Sequence, residues 1–138
     1  MNKFFFSLLA LLLTVTAFSQ DKPLADHRVS DFFGPEKIRI WEKQSPDSIK
    51  YYNFLVTHSF EIWKAENAAL QNGSENAANV KLSEKNTEAL DNLTNFNILE
   101  TGLPFSKNEA QWFIIEGTDY YLMLHPISYI ENKFKAGK

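Results

Sequence analysis

The chain has 138 residues, no cysteine and a formal charge of −3 at neutral pH. The lack of cysteine excludes disulfides, thiol redox chemistry, cysteine nucleophiles, thiolate metal sites and anchoring through a lipid-modified cysteine. Mild acidity without a basic run excludes a general attraction to nucleic acid or anionic lipid, since Lys133, Lys135 and Lys138 make only a short solvated tail.

The chain opens with the pattern of an export signal. Asn2-Lys3 supplies a short positive start, Phe4–Val15 is nearly unbroken apolar sequence, and Ala17 and Ser19 are the small residues a signal peptidase reads. Cleavage is expected before Gln20. The apolar run is short for a membrane span of about 20 residues, which favours cleavage over the competing reading of an uncleaved anchor. No later segment is long and apolar enough to cross a bilayer, so the mature protein is expected to be soluble, in a bacterial periplasm or outside the cell. Loss of residues 1–19 removes Lys3 and takes the formal charge from −3 to −4. Residues 20–138 suit one small domain, and 12 Phe, 5 Tyr and 3 Trp over the chain supply bulky core material.

Gln20–Arg28 lacks periodicity and is read as a loose leader. Val29–Phe33 is a short apolar contact ended by Gly34-Pro35. Pro35-Glu36 then starts a helix, with Ile38, Ile40 and Trp41 against a charged side. Ser45-Pro46-Asp47 repeats the start signal. Ile49, Tyr52, Leu55 and Val56 follow at helical spacing, yet Tyr52, Phe54, Val56, His58, Phe60 and Ile62 also alternate. The division adopted is a helix to about Thr57 and a strand from Ser59 to Trp63.

Lys64–Asn79 has almost nothing to bury and is read as a flexible polar surface loop with its tip at Asn72-Gly73-Ser74. A weak helix is expected over Glu84–Leu93, and Asn95–Leu99 reads as a short strand or an extended tuck into the core. Ser106 to Glu109 fits a capping box with little room for a helix behind it. Gln111–His125 is the strongest signal. Two aromatic and branched runs flank Glu116-Gly117-Thr118-Asp119, where Gly117 allows a tight two-residue hairpin turn. Neither run alternates with polar residues, so both faces of this hairpin are expected to be covered. Pro126 stops the second strand, and Ser128–Phe134 forms a terminal helix. The expected fold is α+β: short N-terminal helices on a small, mainly antiparallel sheet with a C-terminal β-hairpin.

Several short signposts recur along the mature chain: Phe33-Gly34, Ser45-Pro46, Tyr52-Asn53-Phe54, Phe60-Glu61-Ile62, Phe96-Asn97-Ile98-Leu99 and Ile115-Glu116-Gly117-Thr118. The pattern resembles that of a family of small, uncharacterised exported proteins of Gram-negative bacteria. The resemblance implies a single exported domain and carries over no activity.

No catalytic constellation stands out. His27, His58 and His125 have no zinc-ligand spacing. Ser59 with His58 and Glu61, and Ser128 with His125, are sequence neighbours rather than a triad assembled across a fold. Glu116 and Asp119 flank a turn, where solvated carboxylates are the rule. No Gly-rich phosphate loop, dinucleotide fingerprint or calcium loop occurs, so no cofactor and no metal is expected. Asp47-Ser48-Ile49 resembles an O-glycosylation acceptor of exported bacterial proteins, while Asn72-Gly73-Ser74 and Asn92-Leu93-Thr94 fit the N-linked pattern.

Trp41, Tyr51, Tyr52, Trp63, Trp112, Tyr120 and Tyr121 exceed what one small core buries. Trp63, Trp112 and Tyr120 are therefore the candidate partner-binding aromatics. The leading expectation is an exported, non-enzymatic module that binds a protein or glycan of the cell envelope. The alternatives are a small periplasmic hydrolase of glycan or peptide, using a set among Glu116, Asp119, His58 and His125, and an accessory subunit of an envelope complex. Oligomeric state and partner identity are not encoded in any local pattern.

Overall fold

The computed structural model describes residues 24–137; the expected export signal and cleavage point lie outside them. Among the described residues, six helices and four strands form an α+β fold. Three short helices open the chain: α1 (His27–Phe33), α2 (Pro35–Gln44) and α3 (Pro46–His58). Pro35 and Pro46 each occupy a first-turn position, where a missing N–H costs nothing. The Ser45 hydroxyl, at the N-cap of α3, bonds to the Ser48 hydroxyl at 2.9 Å instead of capping a backbone amide.

The stretch expected to be a loose leader is folded from residue 26. Asp26 caps α1, its carboxylate accepting from the Arg28 amide at 2.9 Å. The same carboxylate takes both arms of the Arg28 guanidinium, at 3.0 and 2.9 Å. Arg28 is only 7% exposed and also donates to the carbonyls of Val56, Leu93 and Phe96. Asn97 closes the arrangement by donating to the Arg28 carbonyl, while Asn86 and Asn97 exchange two hydrogen bonds between side chain and backbone. A buried cation at the helix junction is thus satisfied by its own ion pair and three carbonyls.

The sheet has the order β1-β4-β3-β2, with β1 (Phe60–Lys64), β2 (Ala78–Val80), β3 (Gln111–Ile115) and β4 (Tyr120–Leu124). β3 and β4 form the expected hairpin, β1 adds antiparallel to β4, and β2 adds parallel to β3. The hairpin connection is wider than a two-residue turn. Residues 116–119 lie between the strands, the Thr118 amide donates to the Ile115 carbonyl, and Gly117 has φ 76°. The helix expected to end near Thr57 ends at His58, and the strand after it begins at Phe60.

Opposed residues in adjacent strands share a face, so the register assigns every side chain. Phe60, Ile62, Phe113, Ile115, Leu122 and Leu124 face the helices and join Val29, Ile49, Val56 and Phe96 in the main core. Glu61, Trp63, Trp112, Ile114, Tyr121 and Met123 face the other way.

Part of that second face is covered by the segment expected to be a flexible loop. Residues 65–80 contain the helical turn α4 (Ala65–Ala68), a 3-10 turn at Ser74–Asn76 and strand β2. Ala68 is 0% exposed and packs with Trp112 and Met123, with Trp63, Ala77 and Tyr121 around them. The Ala65 amide donates to the Asp119 carbonyl at 2.8 Å, which ties the cover to the hairpin turn. Low local hydrophobicity hid this segment, because its anchor is a small alanine whose partners lie across the sheet.

The remaining elements are short. Glu84–Glu88 is helical (α5) and passes into a 3-10 turn at Ala89–Asp91 rather than continuing to Leu93. Asn95–Leu99 is not a strand; a turn puts Phe96 into the core at 0% exposure, and Ile98–Thr101 is a 3-10 turn. Ser106–Glu109 does not start a helix. The Ser106 amide donates to the Gln111 side chain and its carbonyl accepts from the Ile127 amide, holding the start of α6 (Ile127–Ala136). No helix of the described residues is long and apolar enough to cross a membrane.

Candidate functional site

The end of α3 and the end of β4 meet at one corner of the molecule. The Ser59 amide returns to the Leu55 carbonyl and closes α3, and the chain enters β1 one residue later. His58 and Glu61 therefore flank a tight helix-to-strand corner. Phe60 is registered with Leu124, so His125 leaves β4 beside that corner, and its amide donates to the Ser59 carbonyl at 2.9 Å. Pro126 ends the strand, and α6 then places Tyr129 and Lys133, one helical turn apart, over the same opening.

These elements enclose a cleft of about 440 Å³, lined by Phe54, His58, Glu61, His125, Tyr129 and Lys133 among others. The His125 Nε2 lies 3.0 Å from Glu61 Oε1, with the imidazole 16% exposed and the carboxylate 42%. The His125 ring stacks on Tyr129 at 4.2 Å, and Lys133 Nζ lies 5.6 Å from the centre of the Tyr129 ring. On the opposite wall Phe54 sits 4.5 Å from the His58 ring. The volume is in the range of small-molecule sites, and the walls combine aromatic rings with the polar side chains of His58, Glu61, His125 and Lys133.

The cleft unites His58, Glu61 and His125 but not the carboxylates proposed to work with them. Glu116 and Asp119 lie in the hairpin turn, at the far end of β4 and about 20 Å along the strand from His125. The hydrolase set of Glu116, Asp119, His58 and His125 does not converge. Ser59 is 0% exposed with no partner for its hydroxyl and is not part of the cleft wall, so the Ser59–His58–Glu61 grouping has no accessible nucleophile. The Thr57 hydroxyl is held between the Asn53 carbonyl and the Arg28 guanidinium. His27 sits on α1, away from the other two histidines, and no group of three or more His, Asp or Glu among the described residues is placed to hold a metal.

A larger hollow of about 490 Å³ lies between α1 and α5, lined by His27, Arg28, Asp31, Lys85 and Glu88. Its two permanent cations are already engaged in structure: Arg28 in the junction described above, and Lys85 on Glu100 at 3.0 Å.

Trp63, Trp112 and Tyr120 do not share a surface. Trp112 is 9% exposed beneath α4, and Trp63 lies beside it on the outer face of the sheet. Tyr120 is on the opposite face, where its hydroxyl donates to Asp91 and Lys64 lies over its ring. That hydrogen bond, before any burial, raises the phenol above its ordinary pKa. What the register does assemble is a row across all four strands: Trp63, Tyr121, Ile114 and Asn79. The first three are half-buried and Asn79 is exposed. Tyr121, one of the surplus aromatics of the sequence, is not among the three candidates, and Ile114 is not singled out, because their alignment is a property of strand register. No protein-family model, curated protein or solved structure matches this chain.

Proposed function

We propose that the mature chain is an exported, non-enzymatic module that binds a protein partner of the cell envelope through the outer face of its sheet. The observation that carries this reading is the half-covered row Trp63–Tyr121–Ile114, left beside the strip that α4 and the following turn cover. Tyr121 on a rigid sheet offers apolar area with a polar handle, and Trp63, whose indole nitrogen is buried, adds apolar area; rigid rings lose little entropy on docking. Export is supported by the sequence of residues 1–19.

The test is a pull-down of the exported chain from envelope extract, with mass spectrometry of what accompanies it. A reproducible partner should be retained by the wild-type chain and lost from the Tyr121→Arg and Ile114→Lys variants, whose urea midpoints stay near wild type. A partner held equally well by both variants, or a folded chain that captures nothing, would defeat the proposal.

A further inference from the structure

We infer that the cleft between α3, β1 and α6 is a second, independent site that takes a small carboxylate with an apolar body. Lys133 brings a positive charge to the cleft, and the imidazoles of His58 and His125 bring ring nitrogens able to donate to an anion, against the single carboxylate of Glu61. That carboxylate is engaged by His125 at 3.0 Å. The ion pairs of the described residues leave Lys133 and His58 without an acidic partner, so both can turn to a bound anion.

The remaining walls select the body of the ligand. Phe54, tilted against His58, and Tyr129, stacked on His125, are aromatic side chains of the lining, so a flat or branched apolar group can lie against their rings while its carboxylate reaches Lys133. Inorganic phosphate has the charge but nothing to place against these rings. A neutral amide of the same shape has the body but not the charge.

The exported chain is titrated with phenylacetate, phenylacetamide and inorganic phosphate, following heat and the imidazole NMR signals of His58 and His125. Phenylacetate should bind saturably and move both signals, with weaker binding of the amide and of phosphate. Lys133→Gln should weaken phenylacetate about fivefold. Glu61→Gln keeps an acceptor for His125 but removes the opposing charge, and should strengthen it about threefold. Equal binding of the amide or of phosphate, variants that do not change affinity in these opposite directions, or no saturable binding of phenylacetate would each overturn the inference. The partner capture by the outer sheet face is measured separately and does not depend on the result.

Discussion

Arg28 is the residue on which the helical half of the molecule closes, and its role comes from partners distant in sequence. It joins the start of α1 to the end of α3 and to the turn before Phe96 through three carbonyls, of which those of Val56 and Phe96 are buried. Arg28→Ala strands those carbonyls and the Asp26 carboxylate together, and should cost about 3–5 kcal/mol in urea unfolding. Arg28→Lys should recover little of this, because an ammonium cannot reproduce the two-armed contact. Asp26 gives the same junction a pH dependence. The Arg28 hydrogen bonds hold its carboxyl below the usual carboxylate range, against an opposing effect of partial burial. A lowered folded-state pKa contributes stability that is present above the unfolded value of about 3.9 and is lost as pH falls through the folded value. Asp26→Asn should therefore flatten the loss of stability below about pH 4, while lowering the plateau at neutral pH; urea midpoints from pH 2 to 7 check both.

Among the elements, the hairpin and the segment before it behave differently. Gly117 sits at φ 76° with open space where a Cβ would stand, so Gly117→Ala meets only backbone strain. It should lower stability by about 1 kcal/mol, and Gly117→Asn by less, because asparagine tolerates this conformation better. The cover over the outer face should fail locally. Ala68 has no room beside Trp112 and Met123, and Ala68→Leu should cost about 1–3 kcal/mol. Hydrogen exchange should rise over residues 65–80 while the amides of α3 stay protected, with a change in Trp112 fluorescence marking the opened face. The helices α2 and α3 and the hairpin were legible in the sequence because proline starts, apolar spacing and turn residues are local signals. Segment 65–80 was not legible: α4 is four residues long, β2 is three, and β2 is selected by parallel pairing with a strand more than thirty residues away.

At the scale of the whole molecule, two surfaces face solvent from opposite ends of one argument about charge and apolar area: a half-covered sheet face, and a cleft with more bases than acids. Export is tested most directly by recovering the chain from the periplasmic or extracellular fraction and finding Gln20 at its amino terminus. The amino-acid sequence by itself determined the α+β class, the hairpin, the proline-started helices, the export pattern and the exclusion of cysteine chemistry, since each depends on residue type or on spacing within a few positions. Only the tertiary structure decided that Arg28 is buried, that Trp112 is a packing residue and that Tyr120 lies on the opposite sheet face from Trp63. Only it brought His58, Glu61 and His125 together and left Glu116 and Asp119 at the other end of a strand. Those outcomes depend on strand register and on which elements pack across the sheet. A shift of one residue in register would exchange every inward side chain for an outward one, and no local pattern in the chain records that choice.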